Sequence, residues 1–311
     1  MFDVVGVGCN AIDYLCLMPD FPDEDTKLEV DAIEMQGGGN IGTALVAVSR
    51  LGGSAAFCAA VGDDGYRGEV LDALREEGVD VSPVAVKAGA NPRAFIMINR
   101  RRSSRTIIYT RKNVPPFMPE DLDPAVIASA RVLLVDFYYP EASAAAAGMA
   151  RRHGIPVVVD AESVPPQAGR VLERATHLVA SLPFARRFTG LPGSTQPEQL
   201  LEALADSTGV PFTCITLGER GAVALGPDRE LIVQKAYPVK TVDTTGAGDV
   251  FHGAFSYALG RGWPERRALV LSAACAALKC ESLGGRKGIP GMLRVEEFLR
   301  SRGEPLEPFD R

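Results

Sequence analysis

Short apolar runs alternate along the chain with segments whose apolar residues recur every three or four positions. Such runs are typical of buried strands, and the recurring spacing is that of one helical face. Strands that alternate with helices indicate βαβ units and a mostly parallel sheet. The predicted strands cover residues 2–7, 55–61, 132–135, 157–159, 177–180 and 213–216. The predicted helices cover residues 40–52, 65–77, 141–152, 168–174 and 197–207.

Two stretches depart from this alternation. Residues 14–36 contain Pro19 and Pro22 and then KLEVDAIEMQ, which alternates like a half-exposed strand. Residues 92–113 contain two alternating segments joined by the polar turn RRSS. Alternation with a period of two predicts strands with one solvated face. We therefore expect a small antiparallel β lid, which could also pair across the axis of a homodimer.

The composition is that of a globular protein with a modest negative charge. Apolar residues make up 46% and charged residues 23%, so a large core can form. Lys and Arg number 33 against 39 Asp and Glu, which gives a net charge of −6. This balance argues against a nucleic acid or an anionic membrane as partner, although it leaves room for a local basic pocket.

The cysteines and the apolar stretches predict a cytoplasmic protein. The six cysteines form no CxxC pair and no dense framework, so we expect them to be reduced. The first residues, MFDVVGVGCNAID, lack the basic region of a signal peptide. The longest Ala-rich stretch, residues 142–150, is far shorter than the roughly 20 residues of a membrane helix.

The segment VDTTGAGD at 242–249 carries the most specific chemistry. After Gly248 the apolar residues lie on one helical face, so Thr-Gly-Ala-Gly begins a helix. The free N–H groups at such a terminus bind phosphate oxygens, and small residues leave them open. Asp249 in the first turn can accept the proton of a hydroxyl group that attacks phosphorus. A capping role for Asp249 is the weaker interpretation, because Asp243 and two threonines already offer caps.

Two further glycine-rich turns are candidates for ligand contacts. Gly37-Gly38-Gly39-Asn40 precedes a predicted helix, where it would either let a polyol approach the backbone or act as a hinge of the lid. The segment TLGERG at 216–221 follows a predicted strand. A turn at the carboxyl end of such a strand would either contact a nucleotide or serve only as a turn.

A competing motif points to a different class of protein. Residues 6–11 match the G-x-G-x-x-A fingerprint of dinucleotide binding. That fingerprint needs a long helix after it, and Pro19 and Pro22 leave no room for one. A nicotinamide oxidoreductase is therefore disfavoured. The three histidines are scattered, which disfavours a metal cluster, and His252 is predicted to lie on a helix surface.

These motifs resemble those of the PfkB family of ribokinase-type carbohydrate kinases over nearly the whole chain. The glycine-rich turn at 37–40 with GDDGYRG at 62–68 resembles the first family signature, and DTTGAGDVFHGAF at 243–255 resembles the second. The resemblance implies one domain over residues 1–311 with a ribokinase-like three-layer α/β/α fold and a β lid from 14–36 and 92–113. It also implies phosphorylation of a sugar or nucleoside hydroxyl by ATP with Mg²⁺.

The resemblance also implies roles for individual residues. Asp249 would be the general base, and an anion hole would be formed by Gly246, Ala247 and Gly248. Asp13, placed at the end of the first strand, would hold substrate hydroxyls together with Gly38, Gly39 and Asn40. The nucleotide site would be lined by Thr216, Gly218, Gly221 and Gly285. The segment 284–288 would lie near the nucleotide or a loop that binds a monovalent cation such as K⁺.

One family feature is missing from this chain. The family usually has Asn-x-x-Glu after the strand that ends near residue 180, and this motif organises magnesium and phosphate. Ser181 and Phe184 stand at these positions. The resemblance then leaves Mg²⁺ to be held by water and ATP phosphates alone, or with help from Asp160 or Glu162.

The expected acceptor is a fructose-like ketose. RTIIYTRKNVPP at 105–116 and FPDEDTKLEV at 21–30 resemble ketohexokinases, whereas AALKCESLGGRKGIP at 276–290 resembles sulfofructose kinases. A sulfonate or phosphate substituent would be bound by basic lid residues, which are otherwise solvated: Arg93, Arg105, Arg111 and Lys112. A nucleoside would instead stack on the aromatic residues 137–139. A non-catalytic sugar or nucleotide sensor is the alternative of another class, and the missing Asn-x-x-Glu motif is what supports it.

Overall fold

Strands and helices alternate along the chain as the hydrophobic pattern predicts. The computed structural model describes residues 1–102, 104–304 and 306. The strands are β1 (Phe2–Val7), β2 (Ala11–Met18), β3 (Ala32–Gly38), β4 (Ala55–Cys58), β5 (Ala60–Gly62), β6 (Val79–Asp80), β7 (Ala85–Lys87), β8 (Arg93–Asn99), β9 (Ser104–Thr110), β10 (Ala130–Val135), β11 (Val157–Ala161), β12 (His177–Ser181), β13 (Phe212–Thr216), β14 (Ala222–Leu225) and β15 (Leu231–Gln234). The helices are α1 (Asn40–Arg50), α2 (Arg67–Glu76), α3 (Pro124–Ala128), α4 (Pro140–Arg152), α5 (Ala168–Leu172), α6 (Leu182–Thr189), α7 (Pro197–Thr208), α8 (Ala247–Gly260), α9 (Glu265–Lys279) and α10 (Met292–Arg300).

Nine strands of the described chain form the central sheet. Their order is β15-β14-β13-β12-β11-β10-β1-β4-β6. All neighbours from β13 to β6 pair in parallel, and β14 and β15 add an antiparallel edge. The predicted mostly parallel sheet is therefore confirmed. The carboxyl ends of the parallel strands meet at one edge, where ligands of open α/β sheets bind.

Helices cover both faces of this sheet. On one side α1 packs against α8 and α8 against α9, while on the other side α4 packs against α3 and α5. Both α4 and α8 contact β1 and β10, which lie at the middle of the sheet. The side chains from Leu133 to Val135 are accordingly 0% exposed, as the continuous apolar run in β10 predicts. The three-layer α/β/α architecture is therefore confirmed.

A second, four-stranded sheet has the order β3-β2-β8-β9. β2 pairs antiparallel with β3, β8 pairs antiparallel with β9, and β2 and β8 run parallel to each other. Leu15, Ile96 and Ile98 form a small apolar cluster in this sheet, separate from the main core. In the predicted turn RRSS, Ser103 lies outside the described residues.

The structure corrects several predicted boundaries. The segment 55–61 is divided between β4 in the central sheet and β5, which pairs with β7 elsewhere. In the stretch 14–36 the first strand, β2, already begins at Ala11, and β3 begins only at Ala32. Asp13 consequently lies inside β2 of the second sheet and not at the end of the first strand.

Two further expectations concern membranes and cysteines. In the part of the chain that the structure describes, the helices are too short or too polar to span a bilayer. The six cysteines are all free thiols, as expected, and Cys275 is buried within α9.

Candidate active site

A cavity of about 400 Å³ lies between the carboxyl ends of the parallel strands and the second sheet. Residues that follow β1, β10 and β11 form its floor, and β8 and β9 form the opposite wall. The N-terminus of α8 closes one side. The following residues predicted from the sequence line this cavity: Asp13, Gly39, Asn40, Gly246, Gly248 and Asp249.

The N-terminus of α8 begins at a left-handed glycine. Gly246 has a φ of 75°, and a Cβ there would lie 2.7 Å from the Cα of Gly285. Both constraints require glycine. The amide of Ala247 donates to the carbonyl oxygen of Thr244 at 3.2 Å, and Ala247 is not among the described residues that line the cavity. Gly246 and Gly248 are the two predicted anion-hole residues that face the ligand space.

Asp249 is half-buried in the cavity wall, in the first turn of α8. Burial raises the pKa of Asp249 well above its usual range, and the negative charges of Glu162 and Asp160 raise it further. His252, in contrast, lowers the pKa of Asp249. A carboxylate with a raised pKa is a stronger base, so the environment of Asp249 suits proton transfer.

A second carboxylate, Asp160, is the penultimate residue of β11 and is buried beside the cavity. Its Oδ2 accepts a hydrogen bond of 3.2 Å from Asn40 Nδ2. Its Oδ1 has no hydrogen-bond donor among the described residues. Burial and the charges of Glu162 and Asp136 raise the pKa of Asp160 well above its usual range. Unpartnered carboxylate oxygen near Glu162 suits a cation that arrives with a ligand.

His252 is buried, which corrects the prediction that it lies on a helix surface. It is 3% exposed, and its Nδ1 lies 2.6 Å from the carbonyl oxygen of Gly248. Its Nε2 lies 3.0 Å from the carbonyl oxygen of Val179 and 3.5 Å from Asp160 Oδ1. The imidazole ring can donate to both carbonyl groups only when both nitrogens carry a proton.

The glycine-rich turn before α1 packs closely against Asp13. A Cβ on Gly38 would lie 2.0 Å from the Asp13 carboxylate, and Gly39 has a φ of 79°. Burial raises the pKa of Asp13 to about 6, while the positive charge of Arg286 lowers it. Gly38 is not among the described lining residues, so its contribution is to leave room for Asp13. The turn therefore exposes a carboxylate and Asn40 side by side.

Arg286 is a buried cation that the sequence analysis did not identify. It is 6% exposed and donates to the side-chain oxygen of Asn10 and to the carbonyl oxygen of Gly38. Cβ atoms on Gly37 or Gly42 would collide with its guanidinium group. Two glycines of the turn region are thus required by Arg286 and not by a ligand.

The predicted nucleotide-binding residues lie outside this cavity. Thr216 ends β13, Gly218 follows in a short 3₁₀ turn with a φ of 61°, and Gly221 has a φ of 95°. They are at the same edge of the sheet as the cavity but are absent from its described lining. Gly285 is closer to the site, because it packs against Gly246.

Ser181 and Phe184 have structural roles at the positions of the missing family motif. The hydroxyl of Ser181 accepts from the backbone N–H of Phe184 at 3.2 Å and caps α6. Phe184 is 0% exposed and stacks between Phe137 and Phe188. Neither side chain is positioned to bind a metal ion or a phosphate.

Three arginines of the second sheet and its exit segment line the cavity: Arg93, Arg105 and Arg111. Arg105 donates to the hydroxyl of Thr244, beside the start of α8, and Arg111 stacks over the ring of Tyr138 at 4.1 Å. Within the described ranges none of these three guanidinium groups forms an ion pair with a carboxylate. Lys112 is absent from the described lining.

Asp136 is a cavity residue that the sequence could have indicated. It follows β10 directly and accepts hydrogen bonds of 2.8 Å from the backbone N–H groups of Cys9 and Tyr138. Burial raises its pKa to about 6. The signal was its place at the carboxyl end of a predicted parallel strand.

Comparison with known proteins gives one family and a consistent fold. The model of the pfkB family carbohydrate kinases matches residues 1–291. A ribokinase from Schizosaccharomyces pombe is 28% identical over 310 residues, which cover 95% of this chain and 97% of that protein. A ketohexokinase from Mus musculus is 24% identical, with 93% and 98% of the two chains covered. The crystal structure of a putative ribokinase from Agrobacterium tumefaciens superposes with a TM-score of 0.88 at 31% identity, covering 97% of this chain and 99% of that one.

Proposed function

The chain belongs to the pfkB family of carbohydrate kinases, phosphotransferases with a hydroxyl acceptor, and on that premise we propose that it phosphorylates a hydroxyl group of a fructose-like ketose with ATP. One observation carries this proposal. Asp249 lies at a helix N-terminus of the kind that binds phosphate. It lines the same cavity as Asp13 and Asn40, whose side chains can form hydrogen bonds with a polyol.

Asp249 would act as the general base. Its carboxylate takes the proton of the acceptor hydroxyl group, whose oxygen attacks the γ-phosphorus of ATP. The new oxygen–phosphorus bond forms as the bond to the bridging oxygen of ADP breaks. The amides at Gly246 and Gly248 would stabilise charge on the transferred group, whereas that of Ala247 is bonded to the carbonyl oxygen of Thr244.

Asp13 and Asn40 would orient the acceptor. A carboxylate accepts from sugar hydroxyls and an amide both donates and accepts, so the pair can fix a polyol in one orientation. Gly39 lets the backbone approach the acceptor, and Gly38 leaves room for the Asp13 carboxylate.

The residues present fit Mg²⁺ that enters with ATP. Mg²⁺ is commonly held by one or two carboxylates plus phosphates and water. Asp160, whose Oδ1 accepts no hydrogen bond but lies 3.5 Å from His252 Nε2, and the nearby Glu162 are such carboxylates, although in the described chain no cluster of three or more ligands is formed. When bound, Mg²⁺ would neutralise phosphate charge. Thr216, Gly218, Gly221 and Gly285 would contact the rest of the nucleotide from the same sheet edge.

The sequence of the lid and the ketohexokinase relative support a ketose as the acceptor. The ribokinase relatives support an aldose as the alternative acceptor. Arg93, Arg105 and Arg111 line the cavity without a carboxylate partner among the described residues, which favours a second candidate, a ketose with a sulfonate or phosphate substituent. Stacking of Arg111 on Tyr138 removes that aromatic face from a nucleoside, which weakens the nucleoside alternative.

The second sheet would act as the lid and as the dimer contact. A row of apolar side chains crosses its outer face, because Met35, Tyr14, Phe95 and Ile108 are successive partners in the strand register. Phe95 and Ile108 are 58% and 57% exposed. An exposed apolar row on a twisted sheet is self-complementary to a second copy related by a two-fold axis. We expect the protein in the cytoplasm, where its six thiols stay reduced.

An ADP-release assay over a panel of acceptors tests this function. The panel holds fructose, ribose, 6-sulfofructose, fructose phosphates and adenosine, and mass spectrometry identifies the product. We expect a ketose to give the highest kcat/KM and the Asp249→Asn variant to be inactive on it. ATP turnover with none of these acceptors, together with tight binding of one of them, would favour the sensor instead.

A further inference from the structure

A buried lysine lies directly behind the start of α8. Lys279 is the last residue of α9, and its side chain is 0% exposed. Its Nζ donates a hydrogen bond of 2.8 Å to the backbone carbonyl oxygen of Asp243. Over residues 1–102 and 104–304 no carboxylate oxygen lies within 4.0 Å of this ammonium group. A buried charge without an ionic partner is costly, so its retention calls for a function.

The segment that Lys279 contacts leads into the proposed anion hole. The Asp243 carboxylate accepts from the N–H and the hydroxyl of Thr245 through Oδ1, and from the N–H of Gly284 through Oδ2. The N–H groups of Val242 and Asp243 donate back to the carbonyl oxygen of Cys280. The end of α9 is therefore bonded in both directions to the segment that positions Gly246.

The same bonds do not fit a monovalent cation at this place. An alkali cation needs several free oxygen ligands, usually backbone carbonyl and carboxylate oxygens. Here the carbonyl oxygen of Asp243 already accepts from Lys279, and both of its carboxylate oxygens accept from N–H or O–H groups. Each Asp243 oxygen behind the anion hole therefore already accepts at least one hydrogen bond, and the Lys279 ammonium group occupies the place beside the carbonyl oxygen.

We infer that the Lys279 ammonium group is a built-in cation that holds the segment Asp243–Gly246 in its phosphate-binding form, and that the enzyme therefore needs no monovalent metal ion. The inference rests on the proposed kinase function. Lys279 is a positioning residue, since it reaches the phosphate only through the Asp243 carbonyl group and the helix terminus behind it.

Electrostatics supports a role in phosphate binding. Burial lowers the pKa of Lys279, and the negative charges of Asp243 and Asp249 raise it. Lys279 also lies at the negative end of the α9 dipole, which favours a cation there. A phosphoryl group at the α8 terminus would add negative charge on the side of the segment Asp243–Gly246 that faces away from Lys279. The ammonium group therefore stabilises the enzyme with bound phosphate more than the free enzyme.

The first test uses the wild-type enzyme in different salts. Turnover of the best acceptor is measured in tetramethylammonium, sodium, potassium and ammonium chloride at one ionic strength, with Mg²⁺ present throughout. We expect kcat to agree within about twofold in all four, because the resident charge cannot be exchanged. Activation by K⁺ of about tenfold or more over tetramethylammonium would overturn the inference.

The second test removes the charge and offers a replacement. In tetramethylammonium chloride, Lys279→Met should lose about 10-fold or more in kcat, and K⁺ or NH₄⁺ should restore part of the loss by occupying the vacated position. The same salts should raise the melting temperature of Lys279→Met but not of the wild type. Lys240→Met, which removes an exposed charge three residues before Asp243, is the matched control and should behave like the wild type.

The outcomes separate this inference from the proposed function. If Lys279→Met keeps wild-type kcat in tetramethylammonium chloride, the inference is wrong although the kinase function stands. If the variant folds poorly, the salt series on the wild type still decides the question. If the wild type turns over none of the acceptors, the function fails, and the salt-dependent melting of the variant still tests the cation site.

Discussion

The guanidinium group of Arg286 donates a hydrogen bond of 2.7 Å to the carbonyl oxygen of Gly38, so a loop near residue 286 fixes the turn that precedes α1. The next residue back in the chain, Gly285, packs against Gly246 at the start of α8. Two adjacent residues thus contact the proposed sugar side and the proposed phosphate side of one cavity. Substitutions in this loop should affect both substrates.

Removing the base should abolish turnover without abolishing binding. Asp249→Asn keeps the shape of the side chain but cannot take up the acceptor proton, so kcat should fall by about 10²–10⁴-fold. Calorimetric binding of the acceptor should change little, because Asp13 and Asn40 remain. Near wild-type turnover in this variant would show that another group accepts the proton.

Removing Arg286 should shift the pH dependence of acceptor binding. Arg286 lowers the pKa of Asp13, which burial otherwise raises, to a net value of about 6. The charged carboxylate is the form that accepts from hydroxyl groups, so binding should weaken as the pH falls through about 6. In Arg286→Met the pKa rises, and the loss of binding should begin at higher pH.

KM for the acceptor, measured from pH 5 to 9, checks this shift. The exposed Arg75, which pairs with Asp72 on the surface of α2, provides the control variant Arg75→Met. An unchanged profile in Arg286→Met would mean that Asp13 does not bind the acceptor in its charged form.

His252 should lower the pKa of the proposed general base, Asp249. Its positive charge lowers the pKa of Asp249 against burial and two neighbouring carboxylates. In His252→Leu that opposing effect is lost, the pKa of Asp249 rises, and the acidic limb of the kcat profile should move to higher pH. The carbonyl oxygens of Gly248 and Val179 also lose their contact with the imidazole ring, so the variant should be less stable by about 1–3 kcal/mol. A loss of stability with an unmoved profile would limit His252 to a structural role.

Gly246 should tolerate no side chain. Gly246→Ala forces a left-handed residue and a contact of 2.7 Å with Gly285, so both the melting temperature and kcat should fall, the strain alone costing about 1–2 kcal/mol. Gly169→Ala, on the exposed side of α5 with open space around its Cβ position, is the control and should not lower stability. A Gly246→Ala enzyme with normal kcat would contradict the proposed anion hole.

The outer face of the second sheet should determine the oligomeric state. Sedimentation velocity should give twice the chain mass for the wild type, and Phe95→Glu should give the monomer, because a charge in the apolar row is buried without a partner. Leu293→Glu changes an apolar residue that is 77% exposed on α10 and should leave the dimer intact. A monomeric wild type would leave the second sheet with its lid role alone.

The parts predicted from the sequence are those set by local pattern. Buried runs such as 132–135 and the Thr-Gly-Ala-Gly helix start were located correctly, because periodicity and a glycine-rich terminus are visible in a few residues. Asp13 was placed on the wrong strand, since nothing local shows that β2 leaves the central sheet. His252 was misplaced because its partner carbonyl groups belong partly to another strand, β12.

The buried cations were missed for a related reason. Arginine and lysine side chains are mostly exposed in proteins. The burial of Arg286 and Lys279 depends on partners far away in the chain. Periodicity along one segment gives no information about such partners. The roles assigned to Asp249, Asp13 and the nucleotide-side glycines stay predictions until substrates are tested.

The contact between Arg286 and Asn10 joins residues 276 positions apart. During synthesis on a ribosome, the β1 and β2 region leaves the exit tunnel long before the loop that completes its ligand pocket. A nascent chain therefore has no finished binding site until residues near 286 have emerged. A shorter nascent chain therefore gains no folding stability from either substrate through a complete site, and its stability comes from its apolar core.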